Sequence, residues 1–389
     1  MKEGYRLLGD FIRQVDVRNT DGKEENLLGV SVQKMFIPSI ANTVGTDFTK
    51  YKVVKRGQFT YIPDTSRRGD KIGIALLTDY DEGLVSNIYT VFEVKDENEL
   101  LPEYLMLWFS RPEFDRYARF KSHGSVREIM DWDEMCKVEL PVPSIDKQRS
   151  IVKAYQTITE RIELKRRIND NLEATAQAVF QEQFASFYGA DELPDGYRII
   201  NLDNLCTVKG GKRLPADCKL LDTPTDHPYI RVRDVGSNRY VCLTNQFQYI
   251  DEETYSALSR YIVNTGDIVI SIVGTIGLLG KIHSSLDKAN LTENCVKLAN
   301  IHTVTSDYLY YTLCYKKQIK EIDLLTVGAV QAKLPMYNIQ SMKILVPPTK
   351  AIEAFQRKMN VLNEQIEANT VEIQKLYELE EVLLAKLSD

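Results

Sequence analysis

The segment IVISIVGTIGLLGKIH at 268–283 joins an apolar run to Gly274, Gly277, Gly280 and Lys281, the residue types of a phosphate cradle. A P-loop needs Gly, four residues, then Gly-Lys-Ser/Thr, so that amides hold the phosphates and the hydroxyl holds magnesium. Counting back from Gly280-Lys281 puts Thr275 where the first glycine belongs, and Ile282 stands where the hydroxyl belongs. The dinucleotide pattern Gly-x-Gly-x-x-Gly is also missing, so the segment reads as a glycine-bearing turn between two strands. The six cysteines form no Cys-x-x-Cys pair and the four histidines are scattered, so neither a zinc site nor a disulfide framework is expected. His123 has serines on both sides in SHGS (122–125), but adjacency in sequence is not the geometry of a nucleophile and its base. The only Pro-Pro pair near a methylation motif is VPPT at 346–349, which lacks both the amide or acid before it and the aromatic after it. These absences set the expectation of a non-catalytic chain with no cofactor and no metal of its own.

What remains is cationic and polar. TSRRGDK (65–71) offers Ser66, Arg67, Arg68 and Lys71 on a turn. VKGGKRLP (208–215) offers Lys209, Lys212 and Arg213 beside two glycines, and YIRVRD (229–234) offers Arg231 and Arg233. The glycine turn adds Ser271, Thr275 and Lys281. Lysine and arginine contact phosphates, and arginine can bond guanine through two hydrogens. The net charge of −6 does not exclude a nucleic-acid partner, because binding needs a local basic face rather than a basic total.

The elements that carry these residues repeat. GYRLLGDFI (4–12) recurs as GYRIINLDNL (196–205), and VVKRGQFTYI (53–62) as IVNTGDIVIS (262–271), setting Gly57 on Gly266 and Gln58 on Asp267. LVSNIYTVFEV (84–94) answers LTENCVKLANI (291–301), PEYLMLWF (102–109) answers SDYLYYTL (306–313), GSVR (124–127) answers GAVQ (328–331), and KVELPVPS (137–144) answers MKILVPPT (342–349). The pairs keep their order, so the chain is two copies of one unit of about 195 residues. FTYIPDTSRRGDKIGI (59–74) is then the counterpart of the opening segment, with Lys71 matched to Lys281.

Each copy is a body followed by a helix. After Ser144, Ile151, Tyr155, Ile158, Ile162 and Leu172 fall on spacings of three and four, with Lys165 and Asn169 interrupting. After Thr349, Phe355, Met359, Leu362, Ile366, Ile373, Leu376 and Leu383 do the same, with Asn369 and Glu380 interrupting. This is the heptad signature, and Ser144 and Thr349 read as N-caps. A single narrow seam cannot bury itself, and two in one chain can bury each other. The alternative, each helix packing on its own body, calls for a broader apolar face. With bodies at opposite ends the helices run antiparallel, and about 40 residues make a rod of roughly 60 Å. The expected class is α+β: two pseudo-symmetric mixed α/β bodies, 1–143 and 188–348, each followed by a long helix, 144–187 and 349–389, with the helices forming an antiparallel coiled coil. MKEGYRLLGDFIRQ carries charges throughout and no apolar stretch approaches the roughly 20 residues of a membrane span, so a cytoplasmic protein is expected.

The ordered repeat resembles the specificity (S) subunits of type I restriction-modification systems over nearly the whole chain. GDIVIS…GTIG (266–277), GAVQ running to ILVPPT (328–349), LPVPSIDKQRSIV (140–152) and LPDGYRIINL (193–202) carry the resemblance. It implies two target-recognition domains, each reading half of a bipartite site on double-stranded DNA, and two helices that dock methyltransferase (M) subunits. It also implies restriction (R) subunits that join for cleavage, with S-adenosylmethionine, ATP and magnesium on those partners. One departure is that Gln148 in PSIDKQR has no glutamine counterpart, Ile352 and Glu353 standing at that place. A coiled-coil scaffold, or a DNA-binding protein without a methyltransferase partner, is the alternative reading.

Overall fold

The computed structural model describes residues 4–39, 45–65, 71–122, 128–188, 190, 192–236, 239–244, 246–328 and 332–388. They form two compact units, Met1–Leu164 with Lys375–Asp389, and Lys165–Gln374.

The first unit is built on a four-stranded antiparallel sheet in the order Ile12–Val15, Thr90–Val94, Phe59–Tyr61, Ile74–Leu76. Phe59 and Phe92 pair across neighbouring strands and stack at 4.9 Å, with the ring of Phe109 edge-on at 5.8 Å and 6.2 Å. Cross-strand aromatic pairs of this kind fix register as well as bury area. Phe109 arrives on the helix Pro102–Phe109, and Pro112 starts the next helix, Pro112–Lys121. Proline disfavours helical backbone in the residue before it, so PEYLMLWFSRPEFDRYARF divides in two at Arg111.

The second unit has a five-stranded sheet in the order Thr207–Gly210, Cys295–Ala299, Ile268–Ser271, Leu279–Ile282, Tyr240–Val241, and a three-stranded sheet of Gln248–Tyr249, Pro228–Ile230 and Asn290–Leu291. Ile268, Ile270, Val296 and Leu298 join the main core on one face, while Val269 and Cys295 join a smaller core on the other. Burial on both faces explains why IVIS reads as a continuous apolar run rather than an alternating one.

The repeat is visible bond by bond. From Pro102 to Ile145 the second copy follows at a constant 204 residues: helices begin at Pro102 and Ser306, Pro112 and Lys316, Trp132 and Met336, and Ile145 and Thr349. The buried hydroxyl of Tyr104 donates to Pro141 O at 3.1 Å, and that of Tyr308 donates to Leu345 O at 2.7 Å. Leu8 N donates to Val138 O, and Leu202 N to Met342 O. Gln58 accepts from Lys55 N at 2.8 Å through its side chain, and Asp267 accepts from Asn264 N at 2.9 Å, each closing a turn around Gly57 or Gly266.

Two expectations need correction. Lys71 is not the counterpart of Lys281. Phe59 pairs with Leu76 as Ile268 pairs with Lys281, so Leu76 occupies the lysine's place and the first hairpin has the longer connection. Thr349 is the first helical residue rather than a cap, and Pro348 O accepts from Ala351 N and Ile352 N. SDYLYYTLCYKKQIKEI also divides in two, with Tyr315 extended at ψ 140° and no proline or glycine to announce it.

The long helices run Ile145–Phe184 and Thr349–Ala385. In the first unit Ile151, Val152 and Tyr155 pack with Leu384 and Leu387. In the second, Ala176 and Phe180 pack with Phe355 and Met359, and Val179 and Leu362 pack against the same cluster. In each unit rising numbers in one helix meet falling numbers in the other, so the pairing is antiparallel. Ile162, Ile366 and Leu376 are buried, while Ile158, Leu172, Ile373 and Leu383 are half-buried. Of the residues that interrupt the seams, Lys165, Asn169 and Asn369 meet one another, and Glu380 meets the seam residue Tyr155. Tyr155 OH donates to Glu380 at 2.6 Å, Lys165 Nζ donates to Asn369 Oδ1 at 3.0 Å and pairs with Glu372 at 2.9 Å, and Asn369 Nδ2 donates to Asn169 Oδ1 at 2.8 Å.

Candidate nucleic-acid interface

In the second unit, loops far apart in sequence converge at one end of the five-stranded sheet. Gly211 N donates to Cys295 O at 3.0 Å and Lys212 N to Leu291 O at 2.8 Å. A Cβ on Gly211 would stand 2.1 Å from Thr292 O, so the approach that seats Lys212 requires glycine. Tyr229 OH donates to Lys212 O at 2.8 Å, and Thr292 N to Ile230 O at 3.0 Å, bringing YIRVRD to the same place. Ile272 N donates to Asn294 O at 2.8 Å, which adds the glycine turn. Leu334 N donates to Ile272 O at 3.0 Å, and Lys333 bridges both Val273 and Val327, which adds the loop that follows GAVQ.

The candidates divide at this rim. Lys212, Arg213, Arg233 and Thr275 are exposed. Arg213 Nε donates to Glu293 at 2.6 Å with the guanidinium in solvent, a contact that a phosphate can replace. Partial burial works to raise Glu293, and the bond from Arg213, with others, outweighs it and holds the carboxyl below its usual range. Arg231 belongs to the framework: its Nε donates to Asp234 at 3.0 Å, its amide donates to the same carboxylate at 2.8 Å, and it bonds Gln248. Ser271 is fully buried, donating to Thr275 O at 2.6 Å and accepting from Leu278 N at 2.8 Å. With Gly274 and Gly277 at φ +82° and +81°, this hydroxyl shapes the turn rather than facing outward. Lys209 is exposed on its strand opposite the buried Lys297.

Lys281 lies elsewhere, on the sheet face toward the helix Ser306–Cys314, where its Nζ donates to Asp307 at 2.6 Å. Asp307 also accepts from Arg239, from Gln356 at 2.7 Å and from Asn363 at 2.8 Å. Arg239 lies near Glu173, 3.9 Å away, and Tyr311 OH donates to Glu173 at 2.9 Å. Burial works to raise the Asp307 carboxyl, and Lys281 and Arg239 overcome it, holding the group at about 2. Burial dominates at Glu173 and pushes that carboxyl up, and burial lowers Lys281. The network ties the sheet to both long helices within this unit.

In the first unit, Ser66, Arg67 and Arg68 lie outside the described residues, and the residues on either side, the two feet of that segment, are placed. Met130 N donates to Pro63 O at 3.0 Å and Thr65 N to Glu128 O at 2.9 Å. At the other foot Asp115 accepts from Ile72 N at 3.1 Å and from the buried Lys34 at 2.5 Å, beside the exposed Lys71. Pro63–Met130 is the counterpart of Ile272–Leu334. In both units the hairpin turn is therefore bonded to the residues that follow the GSVR or GAVQ motif in the sequence. Lys333, exposed next to that turn, was not among the candidates; its signal was its place just after GAVQ.

Two copies of one unit, each bonding a hairpin turn to the residues after a glycine motif and joined to seamed helices, define a twofold-repeat recognition protein. The family profile of the type I restriction modification DNA specificity domain matches residues 11–174 and 194–382, and the chain belongs to that family. It is 21% identical to the HindI type I restriction enzyme specificity subunit of Haemophilus influenzae over 98% of this chain and 97% of that protein. It is 22% identical to the MjaIX specificity subunit of Methanocaldococcus jannaschii over 74% of this chain and 68% of that one. A solved S subunit of a type I system from M. genitalium has the same fold, with a TM-score of 0.51 at 14% identity, covering 99% of this chain and 96% of that one.

Proposed function

We propose that the chain is the non-catalytic specificity subunit of a type I restriction-modification complex, with 1–143 and 188–348 as its target-recognition domains and 144–187 and 349–389 as the helical spacers. Each domain reads one half of a bipartite site on double-stranded DNA. The observation that carries this reading is the rim built twice over, Pro63 on Met130 and Ile272 on Leu334, with different cations on each. A shared scaffold with unlike loop residues is what two readers of unlike half-sites require. Lys71, Lys212, Arg213, Arg233 and Lys333 supply phosphate contacts, with Lys209, Thr275, Ser66, Arg67 and Arg68 as further contacts. The partners are two methyltransferase subunits and the restriction subunits, which carry S-adenosylmethionine, ATP and magnesium, and the complex works in the cytoplasm.

Co-expression with the methyltransferase partner, followed by mapping of methylated positions, tests this. The expected result is one bipartite sequence that requires this chain. Methylation or cleavage of DNA by the purified chain alone, or binding blind to sequence with the partner present, would overturn it.

A further inference from the structure

Phe120 and Leu324 are the two most exposed large apolar side chains among the described residues, at 78% and 85%. A single exposed leucine needs no explanation. These two, however, are 204 residues apart, the constant offset of the repeat, so they occupy one position of the doubled unit. That position is the last turn of the helices Pro112–Lys121 and Lys316–Leu325, four residues before the glycine of GSVR and of GAVQ.

Both helices lie against the rim that carries the candidate DNA contacts. In the first unit Asp115 accepts from Ile72 N on one side of the hairpin connection. On the other side Arg119 pairs at 2.8 Å with Glu128, whose carbonyl accepts from Thr65 N. Phe120 follows Arg119 directly. In the second unit the helix lies on the glycine turn, since a Cβ on Gly277 would stand 3.3 Å from Ile322 Cγ2. Just past Leu324, Val327 and Lys333 exchange backbone hydrogen bonds at 2.8 Å, and Lys333 bridges Val273 in the turn. Lys316, Lys317 and Lys320 are exposed on the same helix, against Glu321 and Asp323, and Lys333 is exposed beside it. The apolar tip is therefore set among groups suited to phosphate.

The cations of the two rims differ, whereas this exposed apolar tip is kept. A kept feature suits what two unlike half-sites have in common, and that is stacked base pairs. Phenylalanine and leucine are among the side chains that wedge between base steps, unstack them and kink the duplex. We propose that Phe120 and Leu324 are DNA wedges, each entering one base step of the half-site its own unit reads. The inference rests on the DNA-recognition reading and adds a deformation to it. The stiffness of the wedged step then contributes to site choice without any hydrogen bond to a base.

The test uses the full-length chain co-purified with its methyltransferase partner, titrated with duplexes that carry the mapped bipartite site and a nick at one step at a time. A nick relaxes stacking without changing a base, so it tightens binding where a wedge enters. Steps beside the methylated bases are left out, because a methyltransferase unstacks its own target there. One such step is expected in each half-site, with a gain of at least about fivefold. Phe120→Ala should abolish the gain in the half-site read by residues 1–143 alone, and Leu324→Ala in the other. Phe120→Leu should keep it, as the second copy does. The alanine variants should retain the wild-type melting temperature and the methylated sequence. No gain at any step, or a gain that survives both alanine substitutions, overturns the wedge and leaves the mapped site, and so the DNA reading, intact. Loss of the methyltransferase subunits from the alanine variants overturns it in favour of a protein contact. Failure to map any bipartite site would instead sink the DNA reading, and the wedge with it.

Discussion

Arg213 and Arg231 are 18 positions apart on the same rim and do opposite work. Arg213 has its charge in solvent, whereas Arg231 closes a turn with Asp234. Arg213→Ala and Lys212→Ala should weaken DNA binding evenly across sequences, each reducing the salt slope of log K by about one, as read in a titration from low to moderate salt. Arg231→Ala should lower the melting temperature and leave the unspecific salt slope unchanged. Asp307 gives a pH prediction. Its carboxyl lies at about 2 against an ordinary 3.8, so its stabilisation is full above pH 3.8 and is lost as pH falls through 3.8 toward 2. The loss amounts to roughly 2 kcal/mol. Glu173, raised by burial, contributes with the opposite sign, losing stability as pH rises through its folded value. Asp307→Asn should flatten the acid limb of an unfolding curve. At pH 7 it should cost about 3–5 kcal/mol, because Arg239 and Lys281 stay buried without their counter-charge. Sequence reading found these cations but could not sort them. Whether a lysine is free depends on a partner such as Asp307, 26 positions beyond Lys281 and brought there by the fold.

At the scale of elements, the helices were legible because a heptad seam is local and its period survives in the sequence. Even the interruptions at Lys165, Asn169, Asn369 and Glu380 were visible; that the first three answer one another and Glu380 answers Tyr155 was not, since pairing depends on register. A matched polar contact inside an apolar seam trades stability for alignment. Replacing Asn169 and Asn369 together by leucine should raise the melting temperature while admitting shifted registers, detectable by cysteine cross-linking along the seam. Gln148 makes the complementary case. It is fully buried, accepts from Leu101 N at 2.9 Å and donates to Glu99 O at 2.8 Å and Pro143 O at 2.9 Å, joining helix to body. Gln148→Leu should cost about 3 kcal/mol in denaturant unfolding, since it strands three backbone groups. The second copy uses buried Ile352 instead, so the glutamine missing from that half marks a change from polar to apolar attachment. The break at Tyr315 left no trace in the sequence, because no proline or glycine imposes it.

For the whole molecule, the order of the motifs was enough to reveal a doubled unit, but not the lengths between them. The hairpins around 62–73 and 272–278 differ in length, so a residue-by-residue match slipped there, while the stretch from Pro102 to Ile145 holds its offset throughout. Replacing residues 1–143 by the corresponding part of another specificity subunit should alter one half-site and leave the other unchanged in methylation mapping. A simultaneous change in both halves would show that the units do not read independently. The composition of the first unit carries a consequence for synthesis. Its core includes Leu387, and its segments are Met1–Leu164 and Lys375–Asp389, whereas Lys165–Gln374 is continuous. A nascent chain therefore completes the second unit first. The first unit, although translated earlier, waits on the ribosome with part of its apolar core uncovered until the last heptads emerge, so chaperone demand should fall on the N-terminal half.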